Sequence, residues 1–184
     1  MKENEDRDLV NRVLAGERHA FEILVRKYQK TVFNAVYQIV RDLADAEDIT
    51  QGIFVKVYEN LKKYDPHYKF YSWIYRIAIN ESLNFARQKR AVYEIPEDYA
   101  SLEKMPDQVL SEAEIIEQVD AALANLDPEY RVLIVMRHFL DFSYKEICEV
   151  LKLPDKKVKS RLYMARQIMA RFMLEKGIDI DEQT

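Results

Sequence analysis

The scarcity of glycine and proline constrains the fold of this 184-residue chain more than any other feature. The chain holds three glycines and five prolines, about 4% of its residues, where a typical protein has about 12%. Sandwiches, barrels and doubly wound sheets need many turns built on these two residues. The shortage therefore predicts an all-α protein and excludes a glycine-rich phosphate-binding loop.

The overall composition predicts a globular protein of the cytoplasm. Hydrophobic residues make up 48% of the chain and charged residues 33%, enough to bury one core or two small ones. The single cysteine, Cys148, excludes an internal disulfide and favours a reducing compartment. The N-terminus is polar and acidic, which argues against a signal peptide. The longest uncharged run, residues 31–40, is about half of the ~20 residues that a membrane span needs, so no membrane insertion is expected.

Charge is distributed in blocks along the chain. The net charge of −4 averages two basic segments, residues 62–90 and residues 155–176, each with net charge +5. Residues 91–129 between them carry eleven acids and one lysine. The two basic segments are candidates for nucleic-acid binding, although the whole-chain charge argues against it.

The acidic middle also marks a boundary between domains. Residues 91–110 include Pro96 and Pro106 and show no sustained 3.6-residue period. We therefore expect two small helical domains, residues 1–90 and 111–184, joined by an extended acidic linker over residues 91–110. A plain solvated spacer is the alternative reading of this linker.

Apolar periodicity and capping residues predict seven helices. Asp127 and Pro128 form a strong helix start, and Ser143 with Glu146 forms a capping box. The predicted helices cover residues 20–40, 43–63, 70–89, 111–125, 128–140, 144–151 and 155–174.

The last two predicted helices have the form of a DNA-binding helix-turn-helix. In the second helix Val158, Leu162 and Ala165 share one face and should pack on the domain. The opposite face offers cations, a hydroxyl and an aromatic ring to bases and phosphates, on Lys156, Lys159, Ser160, Tyr163 and Gln167. An ordinary helix hairpin with a solvated basic face is the alternative.

Residues 70–76 place four aromatics within seven residues, next to several cations. Aromatic rings among cations suit the stacking of unpaired bases. Polar and aromatic residues then recur at steps of three and four, at Trp73, Arg76, Asn80, Asn84 and Arg87. The alternative is that the rings simply complete the core, and the sequence alone does not sort them.

With both blocks in this order around an acidic segment, the chain resembles a bacterial extracytoplasmic-function (ECF) sigma factor of the sigma-70 family. The resemblance rests on the stretches GERHAFEILVRKYQ, DAEDITQGIFVKVYENL, FYSWIYRIAINESLNFAR, LDPEYRVLIVMRHFLDFSYKEICEVL and VKSRLYMARQIM. It implies that the first domain is sigma region 2 and the second is sigma region 4. A protein of this family is not an enzyme: it binds core RNA polymerase, recognises the −10 and −35 promoter elements and promotes DNA melting.

The resemblance also implies roles for individual residues. Docking on the polymerase is expected from two carboxylates, an amide and an aromatic ring taken to be exposed, on Asp45, Asp48, Gln51 and Phe54. Binding of the −10 element and the melted strand is expected from Lys69, Tyr71, Trp73, Arg76, Asn80, Asn84 and Arg87, with a flipped base held by the loop of residues 64–69. Binding of the −35 element is expected from Arg137, Lys156, Lys157, Lys159, Ser160, Arg161, Tyr163 and Arg166.

The partners implied by the resemblance are core RNA polymerase, through its β′ clamp coiled coil and its β flap, and promoter DNA. An anti-sigma factor that holds the protein inactive, often at the membrane, is a further expected partner. No cofactor and no metal are expected, because the three histidines and Cys148 show no ligand spacing.

Three other classes remain as alternatives. An ordinary helix-turn-helix regulator would bind duplex DNA alone and use residues 1–90 for a ligand or for dimerisation. A decoy would bind polymerase without supporting an open complex. An enzyme is the weakest class, because no catalytic triad or metal signature is visible.

Overall fold

The computed structural model describes the backbone of residues 2–93 and 112–176, and the side chains of residues 5–89 and 116–176. Within these residues the regular structure is helical and no strand occurs, so the all-α prediction is confirmed. The helices are α1 (Lys2–Leu14), α2 (Arg18–Val40), α3 (Leu43–Asn60), α4 (Phe70–Tyr93), α5 (Glu112–Ala124), α6 (Pro128–Ile134), α7 (Tyr144–Leu151) and α8 (Asp155–Glu175).

The chain divides into two compact units, residues 1–87 and residues 88–184. Helix α4 continues to Tyr93, four residues past its predicted end. The first three residues of the predicted linker are therefore helical. Residues 94–110 of that linker lie outside the described residues.

The first unit is built on α2, which packs against both α1 and α3. Its apolar stripe is buried at Leu24, Val32, Val36 and Ile39, as the 3.6-residue period predicts. Buried α4 residues complete this core: the Phe70 and Tyr28 rings are 5.6 Å apart.

Helix α1 was not predicted, because its sequence is mostly polar. It is held by Asp6, a buried carboxylate that accepts hydrogen bonds from Lys27 Nζ and Tyr28 Oη, both at 2.6 Å. Burial and this carboxylate raise the pKa of Tyr28, which keeps the phenol protonated. Leu9 and Val10, three and four residues after Asp6 and hence on the same face of the helix, are also buried, so two apolar residues and the buried carboxylate anchor α1.

The second unit packs α5, α6 and α7 against α8. The predicted helix starts are confirmed: Asp127 accepts a hydrogen bond from the Glu129 N–H, and Ser143 and Glu146 form the capping box. The helix predicted over residues 128–140 ends earlier, however. After Ile134 the backbone widens into one π-helical turn, Val135–Phe139.

A buried arginine closes the end of α5. Arg131 donates hydrogen bonds to the carbonyls of Leu123, Ala124 and Leu126, at 2.7–2.8 Å. Leu123 and Ala124 are the last two residues of α5 and Leu126 follows the helix, so the guanidinium adds hydrogen bonds where the helical pattern of backbone bonding ends. Arg131 therefore joins α5 to α6 inside the second unit.

The described residues contain no cluster of histidine, cysteine, aspartate or glutamate that could hold a metal ion. Over the same residues, every helix is too short or too polar to cross a membrane. Cys148 is half-buried rather than fully packed in the core.

Candidate protein and nucleic-acid interfaces

The start of α3 carries the predicted polymerase-docking residues. Asp42 caps the helix by accepting a hydrogen bond from the Asp45 N–H at 3.0 Å. Asp45 is half-buried in the first turn, where a carboxylate also favours the helix dipole. Asp48 and Gln51 are exposed one and two turns further along. The structure therefore presents two of the four predicted residues fully to solvent.

Phe54 is not the exposed aromatic that the sequence predicted. Its exposed fraction is 8%, because it lies on the face of α3 that packs into the first unit. The apolar side chains on the outer face are instead Val55, 58% exposed, and Tyr58, 50% exposed. Helical spacing from Asp48 and Gln51 leads to these two positions and could have found them. Gly52 lies on the same exposed stretch, and a side chain there would meet open space.

Helix α4 presents a polar row to solvent. Arg76, Asn80, Asn84 and Arg87 are all exposed and lie three or four residues apart, hence on one face. The row covers eleven residue steps, about 16 Å at 1.5 Å per residue. It places two amides, which can donate and accept, between two guanidinium groups. The row consists of four of the seven residues that are predicted to bind the −10 strand, and its exposure is what that prediction requires.

The aromatic residues around the start of α4 divide between core and surface. Tyr64, Phe70 and Tyr75 are buried, whereas Tyr71 and Trp73 are half-buried. The Trp73 ring lies 5.5 Å from that of Tyr64 and 5.7 Å from that of Phe70. Trp73 therefore rests on buried rings while part of its surface faces solvent. The rings of Phe70 and Tyr75 therefore complete the core, whereas base stacking by Tyr71 and Trp73 stays a prediction.

The loop before α4, residues 64–69, is held from both ends. The buried Tyr64 hydroxyl donates a hydrogen bond to the Tyr68 carbonyl at 2.6 Å. Asp65 accepts a hydrogen bond from the His67 N–H at 2.9 Å, and its carboxylate lies 2.7 Å from His67 Nδ1. These bonds lower the pKa of Asp65. The fixed loop leaves Lys69 exposed and the Tyr68 ring 63% exposed, and Tyr68 was missing from the predicted site.

The face of α8 that was predicted to bind DNA points away from the core. Val158, Leu162 and Ala165 are buried, as predicted. The turn before the helix is made by Lys152, whose backbone is left-handed with φ of 52°. The outward residues, all exposed, are Lys156, Lys157, Lys159, Ser160, Tyr163 and Arg166.

Three predicted −35 residues have partners within the protein. Lys159 Nζ lies 2.7 Å from the Asp155 carboxylate, which raises the pKa of Lys159. Arg137 donates to the Phe142 carbonyl at 3.3 Å. Arg161 is half-buried and pairs with a residue of α6, Glu129, at 3.0 Å. If these three cations bind DNA, each must either give up its contact within the protein or bind DNA while that contact is kept.

His138, in the π-helical turn, adds a titratable group next to this surface. Partial loss of contact with water, followed by the charges of Arg166 and Arg137, lowers the pKa of His138 below the usual 6.5, although the residue keeps an exposed surface. The carboxylate of Asp141 acts in the opposite direction on this pKa, but more weakly. The histidine was seen in the sequence, but its cationic surroundings depend on the fold.

Known families account for both units. The family model of sigma-70 region 2 matches residues 24–92, and that of sigma-70 region 4 matches residues 116–169. The chain is 32% identical over 179 residues to the RNA polymerase sigma-H factor of Pseudomonas aeruginosa, covering 91% of this chain and 93% of the relative. It is 30% identical over 174 residues to the ECF RNA polymerase sigma-E factor of Escherichia coli, covering 88% and 91%.

The fold matches that of a solved relative. The structure of CnrH in complex with the cytosolic domain of CnrY superposes with a TM-score of 0.67 at 25% identity, covering 92% of this chain and 97% of that one. The two helical units with their exposed polar faces are those of a bacterial transcription initiation factor, and the chain belongs to the sigma-70 family. Within that family it is an ECF sigma factor, which directs RNA polymerase to promoters.

Proposed function

We propose that this ECF sigma factor uses three separate surfaces, one to bind polymerase and two to bind promoter DNA. The exposed face of α3 docks on core polymerase, the polar row of α4 holds the melted −10 strand, and the outward face of α8 reads the −35 element. The proposal depends mainly on the exposed row of α4, formed by Arg76, Asn80, Asn84 and Arg87. An ordinary helix-turn-helix regulator binds duplex DNA through its second unit and does not need such a row. Its end guanidiniums suit phosphates and its amides suit the edges of unpaired bases.

The docking surface on α3 combines Asp48 and Gln51 with the exposed Val55 and Tyr58. A carboxylate and an amide beside a small apolar centre suit a basic helical partner such as the β′ clamp coiled coil. Phe54 supports this surface from below by packing in the core. We expect Val55, rather than Phe54, to contact the polymerase directly.

The loop of residues 64–69 is proposed to hold the flipped −10 base. Its hydrogen bonds fix the loop before DNA arrives, which reduces the entropy lost on binding. Tyr68, Tyr71 and Trp73 offer ring surface for stacking at this end of α4. Extruding a base costs a few kcal/mol, which such contacts must offset.

The second unit is proposed to place α8 in the major groove of the −35 element. Lys159, Ser160 and Tyr163 face the bases, while Lys156, Lys157 and Arg166 contact phosphates. We further propose that the acidic residues 91–110 thread through basic channels of the polymerase and shield the basic helices in the free protein. Threading is what the resemblance to the family implies, and the acidic composition of these residues suits it.

An anti-sigma factor is the proposed regulator. CnrH is solved with the cytosolic domain of CnrY, and a partner of that kind would cover the polymerase-binding surfaces. It would hold this chain in the cytoplasm, next to the membrane if the partner is anchored there. The protein itself is proposed to act without cofactor or metal and not as an enzyme.

Run-off transcription with purified core polymerase tests this function. A promoter-specific transcript should appear only when the protein is added. The double variant Asn80→Ala/Asn84→Ala should still bind core but lose permanganate-reactive thymines in the −10 region. Asn34→Ala, at an exposed asparagine of α2, is the matched control and should behave as wild type.

Three outcomes would contradict the proposal. Binding to core without transcript at any promoter tested indicates a decoy. Binding to duplex DNA but not to core indicates a helix-turn-helix regulator. Full melting by the double variant would remove the row on α4 from the mechanism.

A further inference from the structure

One lysine of the DNA-facing helix is held by two neighbours. Lys159 Nζ lies 2.7 Å from the carboxylate of Asp155, one turn earlier in α8. The same atom lies 5.9 Å from the ring centroid of Tyr144, the first residue of α7. A lysine side chain normally samples many rotamers, so two simultaneous contacts restrict where its ammonium group lies.

Tyr144 is fixed in turn by a second cation. The Arg137 guanidinium lies 5.7 Å from the centroid of the same ring. Arg137 is itself held by the carbonyl of Phe142, at 3.3 Å. The four side chains therefore form a chain of contacts, Arg137–Tyr144–Lys159–Asp155, that joins three successive elements of the second unit.

This arrangement matters because a free lysine does not discriminate well between DNA groups. Its ammonium is a compact point charge that phosphates attract strongly. A lysine held in place can instead donate to guanine O6 and N7 in the major groove. Ser160, adjacent to Lys159, is exposed on the same helix.

On the basis of the function proposed above, we propose that Asp155 and Tyr144 are positioning residues for base recognition. They hold the Lys159 ammonium toward one base pair of the −35 element and so determine the preference at that base pair. Asp155 also lies in the first turn of α8, where a carboxylate stabilises any helix. A purely stabilising role predicts weaker binding at every sequence, without a change in base preference.

Selection with the complete holoenzyme separates these roles. Core polymerase with this protein binds promoter fragments whose −35 region is randomised, and the bound fraction is sequenced. Lys159→Ala should abolish a roughly tenfold preference at one base pair, which identifies the pair that Lys159 reads. Asp155→Asn and Tyr144→Leu should each reduce the preference at that same pair, roughly threefold. Tyr144→Phe, which keeps the ring, should retain it.

Combined variants and a control complete the test. On the Lys159→Ala background, Asp155→Asn should change no base preference further. Lys145→Ala, at an exposed lysine of α7, should match wild type. The thermal unfolding midpoint of each variant is measured first, and the selection is carried out below that temperature. Loss of folding is then not mistaken for loss of base preference.

Several results would overturn the proposal. A change at a different base pair would mean that Asp155 or Tyr144 contacts DNA directly. A uniform loss of binding at all sequences would mean that they only stabilise the domain. If the wild-type holoenzyme binds core yet enriches no −35 sequence, the proposed function itself fails and this inference fails with it.

Discussion

The Arg161 guanidinium lies 3.0 Å from the Glu129 carboxylate, so that α8, the helix proposed to bind DNA, is tied to the first turn of α6. Arg161 is 27% exposed at its side chain and Glu129 is 40% exposed. An ion pair in this position stabilises the domain while occupying a cation that the family resemblance assigns to the −35 element. Its removal should therefore affect stability and DNA binding in opposite directions.

We expect Glu129→Gln to strengthen promoter binding by holoenzyme and to make it more dependent on salt. If Arg161 then neutralises one more phosphate, the slope of log K against log salt becomes steeper by about 0.9. Fluorescence titrations of the holoenzyme between low and moderate salt measure this slope. Glu149→Gln, at an exposed glutamate of α7, is the control. An unchanged slope would show that Arg161 remains away from the backbone.

Replacing Lys156 and Lys157 should change the salt slope in the opposite direction. Both are exposed at the start of α8, and replacing them by glycine and threonine removes two charges. The salt slope should become shallower by up to about 1.8, at roughly 0.9 per phosphate, while the preferred bases stay the same. The same titrations, repeated on promoters with altered −35 bases, measure both effects. A constant slope would contradict a phosphate-contacting role.

The buried Asp6 is expected to be essential for the stability of the first unit. Asp6→Ala leaves the Tyr28 hydroxyl buried without its partner and leaves Lys27 only the more distant carboxylate of Glu5, at 4.0 Å. The free energy of unfolding should fall by about 1–3 kcal/mol. Asp8→Ala, at an exposed position of the same helix, should change it by less than about 0.5 kcal/mol. Denaturant unfolding followed by circular dichroism compares the two, and equal effects would contradict the buried contact.

Arg131 is expected to be as important for the stability of the second unit as Asp6 is for the first. Arg131→Met keeps much of the apolar stem but removes three hydrogen bonds, two to the last residues of α5 and one to Leu126 just after the helix. We expect a loss of about 3 kcal/mol, because hydrogen bonds to charged groups are strong and the freed carbonyls are costly to bury. Arg171→Met, at an exposed arginine of α8, is the matched control. Hydrogen exchange should show α5 opening first in the Arg131 variant.

His138 predicts how stability depends on pH. Its pKa in the folded protein lies below the usual 6.5, so the unfolded chain binds the proton more tightly. The contribution of neutral His138 to the free energy of unfolding is therefore fully present above pH 6.5. It is lost as the pH falls through the lower pKa that His138 has in the folded protein. Unfolding midpoints between pH 5 and pH 8 should decrease toward acid more steeply for wild type than for His138→Gln. Parallel curves would show that His138 does not contribute.

Much of the fold could be predicted from the sequence because helix formation is a local property. Apolar spacing placed α2, α3 and α8, and cap residues placed the starts of α6 and α7. Helix α1 was missed because a buried carboxylate on Asp6 holds it, and no local pattern indicates such a contact. The π-helical turn after α6 was missed for a similar reason, since the local sequence continues an ordinary helical pattern.

The candidate site was predicted in part. The polar row of α4 and the outward face of α8 follow from helical spacing once one buried residue on each helix is known. Phe54 was wrongly taken as exposed because residue type alone does not give the orientation of a helix, and Val55 lies on the outer face instead. Tyr68 was missed because its exposure depends on how Tyr64 and Asp65 fix the loop.

The sequence by itself determined that this protein is helical, that two basic segments flank an acidic one, and which family it resembles. Those properties follow from composition, periodicity and local order along the chain. Only the tertiary structure decided which cations are already paired, since Arg161 meets Glu129 and Lys159 meets Tyr144 across different helices. Contacts between helices depend on the packing of the whole unit, and residue spacing within one helix does not specify them.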